Sequence, residues 1–372
     1  MTVKYVRMPI ELESPEQLGY DTIRYNLSES SVADRRLGDL NLKLDDILLC
    51  YGDHRGSPDL RSLIAASGDG LSADDVLVTA GAAGALFIIA TSMLDQSDHI
   101  VVVRPNYATN IETPRAIGCR ISLIDMEFEN GFRLDLPKIE AAIEPGTKYV
   151  SVTYPHNPTG VMISEEELRA LTDLVERKGI HLLFDETYRE MTFGPVVPVA
   201  ASLSKRVISV SSLSKTYGIP GIRTGWLISR DPELMELFLA AREQIGISGS
   251  TVDEYIAYIA LSRREEWLRF NNARIASAFA IVKEWIASEP LVEWIEPSGG
   301  CVCFPRIASS ANIDVAGFHR RLYHDYGAYV GRGRWFEQDD RHFRIGYAWP
   351  DEDELRGGLA AISAALRESI KG

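Results

Sequence analysis

Residues 211–226 read SSLSKTYGIPGIRTGW and place a single lysine between an apolar strand and a glycine-rich turn. Upstream, residues 206–210 (RVISV) alternate β-branched side chains and read as a strand; downstream, residues 224–229 (TGWLIS) read as another. Lys215 therefore sits on a short connector between two buried strands. Ser212 lies three residues before it and Arg223 eight after it, so a hydroxyl and a fixed cation flank the amine. Such a connector suits an anion beside an amine that loses its proton easily, because desolvation shifts a lysine pKa readily and leaves a Schiff-base nucleophile. A lysine taken alone is ordinarily a solvated surface residue, so the rest of the chain has to decide.

Working outward, the chain alternates strands and helices from residue 75 onward. Residues 76–78 read as a strand, 81–84 as a small-residue turn and 85–95 as a helix. Residues 100–104 (IVVVR) read as a strand stopped by Pro105, 119–124 as another, and 149–153 (YVSVT) as one stopped by YPHNPTG. The helix that follows has a capping box from Ser164 and Glu167, an apolar stripe at Leu168, Leu171 and Val175, and a glycine stop at Gly179. Residues 181–184 (HLLF) precede the two strands around Lys215. Near-continuous apolar strands separated by helical crossovers imply a mainly parallel sheet covered on both faces, with ligands at the carboxyl ends of its strands. Asp231 and Pro232 start a helix that runs to about residue 244, and QIGISGST then breaks the pattern. Beyond it come a long helix over 263–288, short strands, a helix over 316–326, a strand over 343–347, and a last helix striped by Leu355, Leu359, Ile362 and Leu366. The expected division is 1–45 as an N-terminal arm with part of a small domain, 46–248 as a large domain, and 249–372 as a smaller α+β domain.

A chain of 372 residues is too long for one simple core, which supports two domains. Its 39 basic against 53 acidic residues, a formal charge of −14, argue against general binding to nucleic acid or an anionic membrane. The first residues lack a signal-peptide core, and the longest apolar run, 82–94, is shorter than a membrane span. Cys50, Cys119, Cys301 and Cys303 show no metal-binding spacing, so a reduced, cytoplasmic protein without a metal is expected.

Polar residues of unusual kind stand at the strand ends. Gly81, Ala82 and Ala83 precede a helix, where free backbone N–H groups can cradle a phosphate. Asn157 ends one strand, and Asp185 and Tyr188 end the next. A carboxylate at a buried strand end is costly unless a cation meets it.

Together these motifs closely resemble the class I/II aminotransferases, fold type I enzymes that use pyridoxal 5′-phosphate. YGDHRGSPDLR, TAGAAGAL, RPNYAT, YPHNPTG, FDETY, SSLSKTYGIPGIRTGW and FRIGYAW occur in family order and at family-like spacing across residues 51–349. The resemblance implies a seven-stranded sheet sandwiched by helices as the cofactor-binding domain. It implies that Lys215 carries the cofactor as an aldimine and later moves the substrate α-proton, and that Asp185 pairs with the pyridine nitrogen. By the same resemblance Asn157 and Tyr188 bond the ring oxygen, Tyr107 stacks on the ring, and Gly81, Ala82, Ala83, Ser212 and Arg223 bind the phosphate. Tyr51 reaches that phosphate from a second subunit, so a homodimer with shared sites is expected. Arg344 matches the clamp for the substrate carboxylate, for which a guanidinium fork is the right chemistry.

Two segments depart from the pattern. Residues 27–31 (LSESS) stand where the family often has a glycine-containing turn, which places Glu29 toward the substrate side chain and favours a cationic one, somewhat as in the family's capreomycidine synthase. Residues 331–336 (GRGRWF) offer Arg332 and Arg334 to a distal carboxylate instead, and the two departures point in opposite directions. The expected activity is transfer of an amino group from an L-amino acid to a 2-oxo acid by a ping-pong mechanism. β-Elimination, oxidation or cyclisation on the same cofactor are the alternatives. A cofactor-binding sensor half of a transcription regulator fits less well, because only about fifty residues precede Tyr51 and they hold no helix-turn-helix pattern.

Overall fold

The computed structural model describes residues 3–371. Seven strands form its central sheet: β1 (Val76–Ala80), β2 (His99–Arg104), β3 (Arg120–Asp125), β4 (Thr147–Thr153), β5 (His181–Asp185), β6 (Val207–Ser212) and β7 (Thr224–Ile228). Their spatial order is β1-β7-β6-β5-β4-β2-β3. β7 runs antiparallel to both neighbours, and the other pairs are parallel.

Alternate side chains serve opposite faces, as a period of two requires. Ile100 and Val102 join one core with Leu86 and Phe238, which belong to α2 (Gly81–Met93) and α5 (Pro232–Gly246). Val101 and Val103 point the other way and join Leu168 and Leu171 of α4 (Glu165–Lys178). With both faces covered, no strand alternates with solvent, and the runs read as continuous apolar stretches.

Helix α4 shows why local sequence is enough in places. Ser164 Oγ accepts from Glu167 N at 3.1 Å while Ser164 N donates to Glu167 Oε2 at 2.8 Å. Gly179 closes the helix at φ 69°. Other stretches differ from expectation. Residues 81–84 are the first turn of α2 rather than a turn before it, because Gly81 at φ +72° turns the chain directly from β1 into the helix. Helices α1 (Pro58–Ala65), α3 (Thr109–Ile117) and α6 (Thr251–Ser262) flank the sheet. α3 carries Pro114 inside it, and α6 starts at the Ser250 cap just past the break in the pattern.

A second core unites α7 (Arg264–Ser288), α8 (Val315–His324) and α9 (Glu352–Arg367) with short strands. Val302–Cys303, Phe343–Gly346 and Gly331–Arg332 form a three-stranded antiparallel sheet. Leu27 and Val32 from the N-terminal segment are buried in this core, and Tyr25–Asn26 pairs in parallel with Ala328–Tyr329. Ile256 and Ala257 of α6, and Trp267 of α7, pack instead with Leu60, Val76 and Trp226 beside the large sheet, whereas Ile275 and Val282 belong to the second core. On this packing we propose that the domain division falls inside α7, after Trp267, rather than at residue 249. Among the described residues no helix is long and apolar enough to cross a membrane, and all four cysteines are free.

Candidate active site

The carboxyl ends of β1, β2, β4, β5 and β6 open onto a cavity of about 400 Å³, lined also by residues of the N-terminal segment, by Trp335 and by Arg344 of the strand Phe343–Gly346. This is where the topology of a doubly wound sheet leaves room for a ligand. Lys215, Asp185, Tyr188, Asn157, Tyr107, Ala82, Ala83, Ser212, Arg223, Arg344 and Glu29 all line it. Residues distant in sequence therefore converge on one cavity.

Each is placed by its strand end. β6 pairs with β7 at Ser212 and Gly225, so the connector bearing Lys215 is held between two antiparallel strands. Asn271 Nδ2 donates to Thr216 O at 2.7 Å and Arg35 Nε to Tyr217 O at 3.3 Å, which braces that connector from α7 and from the N-terminal segment. Lys215 Nζ donates to Ser30 Oγ at 3.2 Å. Burial pushes the amine pKa below its ordinary value, and Arg344 adds to the effect while Glu29 opposes it.

Asp185 closes β5 and is 5% exposed. Its Oδ1 accepts from Thr187 N at 3.1 Å and from Thr187 Oγ1 at 2.6 Å. Burial raises its pKa against the opposing pull of Thr187 and Lys215. A cation placed against this carboxyl would restore its ionised form. The Tyr188 phenol is held well above its usual range by burial.

Asn157 is tied to the loop that carries Tyr107 through its neighbour His156. That ring bonds Thr159 Oγ1 at 2.7 Å and Pro105 O at 2.7 Å, and burial lowers its pKa to about 4, so it stays neutral. Arg344 is 4% exposed. Its Nη1 donates to Asn157 Oδ1 at 3.0 Å and its Nη2 to Ser28 O. Its Nε is buried with no partner. A buried guanidinium with an unmet donor is costly unless a ligand completes it.

At the phosphate end, Gly81 begins α2, whose first N–H groups are free of helix partners. A Cβ on Gly81 would lie 2.6 Å from Arg223 Nη2, and one on Gly225 would lie 2.5 Å from Gly81 C and 2.6 Å from Ala82 N. Glycine at both positions lets strand, helix start and guanidinium meet in one cradle.

Tyr51 is placed elsewhere. It is 81% exposed and lies with Leu49 and residues 243–252 on a groove outside the cavity. Arg332 and Arg334 also stand outside the lining. Arg334 pairs with Glu13 at 2.6 Å and Asp340 at 3.3 Å, so its charge is already met within the chain. Sequence reasoning passed over Ser30, Glu16, Tyr20 and Trp335, which also line the cavity. Ser30 and Trp335 fall within the two departures at residues 27–31 and 331–336, whereas nothing in the sequence marked Glu16 or Tyr20.

A sequence profile of the family aminotransferase class I and II matches residues 35–362. The chain belongs to this family. Among similar proteins, capreomycidine synthase of Streptomyces vinaceus is 30% identical over 95% of this chain and 92% of its own length. Arginine–pyruvate transaminase of Pseudomonas aeruginosa is 29% identical over 86% of this chain and 83% of its own. A solved PLP-dependent aminotransferase from Streptococcus suis superposes with a TM-score of 0.90 at 28% identity, covering 100% of both chains. Fold type I architecture and pyridoxal 5′-phosphate as cofactor follow from the family and these structures. The chain's residues fit that cofactor: a glycine-lined anion cradle at Gly81, a buried carboxyl suited to a cationic ring nitrogen at Asp185, and a desolvated amine between them at Lys215.

Proposed function

We propose that this chain is a transaminase that passes the amino group of an L-amino acid with a cationic side chain to a 2-oxo acid by a ping-pong mechanism. The observation that carries this reading is one cavity holding the Lys215 amine, the Asp185 carboxyl and the incompletely bonded Arg344 guanidinium. The chemistry the cofactor supplies when bound is withdrawal of electrons from the substrate's α-carbon. Asp185 holds a proton on the ring nitrogen through its carboxylate. Asn157 and Tyr188 bond the ring oxygen, and Tyr107 packs against the ring. The first N–H groups of α2, with Ser212 and Arg223, hold the phosphate. Arg344 takes the substrate α-carboxylate in a two-bond fork and fixes the α-hydrogen toward Lys215. Lys215 Nζ, made less basic by burial, would take that proton from the α-carbon and pass it to the cofactor carbon that bears the amino nitrogen, so that the nitrogen stays behind when the 2-oxo acid leaves.

The side-chain preference rests on charge. Glu29, Glu16 and Asp34 line the cavity, whereas Arg334 is occupied by Glu13 and Asp340. The Pseudomonas relative is an arginine–pyruvate transaminase, which supports this choice. A homodimer in the cytoplasm is part of the same proposal, with Tyr51 reaching the phosphate of a second copy. The similarity to capreomycidine synthase favours a second reading, in which the same proton removal leads to cyclisation.

An amino-donor screen tests the proposal. A single turnover with the best donor and no acceptor should yield 2-oxo acid in proportion to enzyme, with no ammonia, and Lys215→Ala should abolish it. Ammonia or a cyclised product in place of the 2-oxo acid would replace transamination by another outcome.

A further inference from the structure

Residues 27–31 bring a hydroxyl, as well as Glu29, to the amine. The segment is pinned at both ends. Gly346 N donates to Leu27 O at 2.7 Å, and Val32 N donates to Lys215 O at 3.2 Å. Leu27 and Val32 are buried in the second core. Between them the backbone presses so close to the strand Phe343–Gly346 that a Cβ on Gly346 would lie 1.6 Å from Glu29 O. The segment is thus held at both ends, and Ser30 lines the cavity, 5% exposed. Lys215 Nζ donates to its Oγ at 3.2 Å.

We propose that Ser30 is a positioning residue, whose hydroxyl holds the Lys215 amine whenever that amine is not bonded to the cofactor. The inference rests on Lys215 being the reactive amine, as proposed above. A lysine side chain has four rotatable carbons and a compact charge. Once released, it needs a partner to stay aimed at the substrate α-carbon, and Ser30 is its hydrogen-bond partner here. The hydroxyl accepts from the amine and so favours its protonated form. The other ionisable groups facing the amine are Glu29 and Glu16 from the N-terminal segment, Arg344 from the small sheet with Cys301 just before its first strand, and Asp185 from the end of β5, while Tyr188 lines the same cavity. None of these changes when Ser30 is replaced.

The test uses the full-length holoenzyme and Ser30→Ala and Ser30→Thr variants. Ser30→Ala is expected to lower kcat roughly tenfold or more, the scale of a lost hydrogen bond to a charged group, and to move the acid limb of the kcat profile to lower pH. Ser30→Thr keeps the hydroxyl and is expected to restore both. A second measurement does not depend on turnover. In the full chain freed of cofactor, acetylation of Lys215 by acetic anhydride, read by peptide mass spectrometry, is expected to reach half-maximum at lower pH in Ser30→Ala than in the parent. An unchanged kcat, or a lower kcat with an unmoved acetylation midpoint, overturns the proposal and leaves Lys215 as assigned. Parent-rate turnover by Lys215→Ala overturns that assignment, and the role of Ser30 with it.

Discussion

Glu29 Oε1 accepts from Tyr20 OH at 3.0 Å, and the Tyr20 ring stacks on Trp349 with centroids 6.0 Å apart. The carboxylate is therefore held by a phenol, forms no ion pair among the described residues, and belongs to a residue that lines the cavity. A guanidinium or ammonium on the substrate would complete it. Glu29→Gln should lower kcat/KM for a basic donor by roughly tenfold, the scale of a charged hydrogen bond, and leave a neutral donor nearly unchanged. Competition between the two donors measures the ratio directly, and an unaltered ratio would defeat the cationic reading. Glu29 was visible in the sequence because LSESS departs from a glycine-containing turn. Ser30 was not, since a serine in a polar run carries no sign that a lysine 185 residues away will donate to it. The fate of Arg334 was equally hidden, because its partner Glu13 lies 321 residues earlier.

Elements whose ends are written in local chemistry were legible, and those defined by tertiary packing were less so. The capping box and glycine stop of α4 are local, and each β-branched run of the sheet is local. α3 has a proline inside it and only a short apolar stripe, so its helical form is imposed by packing. The start of α2 reads as a turn because Gly81, Ala82 and Ala83 have no long side chains to show helical periodicity. Its actual reason is the close approach of β7, which Gly225 permits. Gly225→Ala should push β7 off the start of α2, since its new Cβ would meet Gly81 C at 2.5 Å. Overpacking of this kind costs about 1–3 kcal/mol. Because the strain falls on the cradle itself, cofactor affinity should weaken roughly tenfold or more. Equilibrium dialysis of pyridoxal phosphate against the folded variant checks this, and unchanged affinity would show that the cradle does not hold the phosphate.

At the scale of the whole molecule, the cavity is built from the large sheet, the second core and the N-terminal segment, yet Tyr51 stands apart from it. The motif YGDHRGSPDLR made Tyr51 a phosphate ligand through resemblance, and the fold places it 81% exposed beside the equally uncovered Leu48 and Leu49. These facts agree if the site that Tyr51 completes belongs to a second copy, and subunit mixing separates the two arrangements. A hybrid of one Lys215→Ala subunit and one Tyr51→Ala subunit then has one site lacking both groups and one site lacking neither. This hybrid should thus recover one full-affinity site for pyridoxal phosphate and about half the parent activity, which neither variant homodimer can match. If Tyr51 served its own chain, every site of the hybrid would lack one group and no full-affinity site would form. Purifying the hybrid through two different tags and titrating it with pyridoxal phosphate distinguishes the cases, because recovered affinity requires that the lysine and the tyrosine of one site come from different chains.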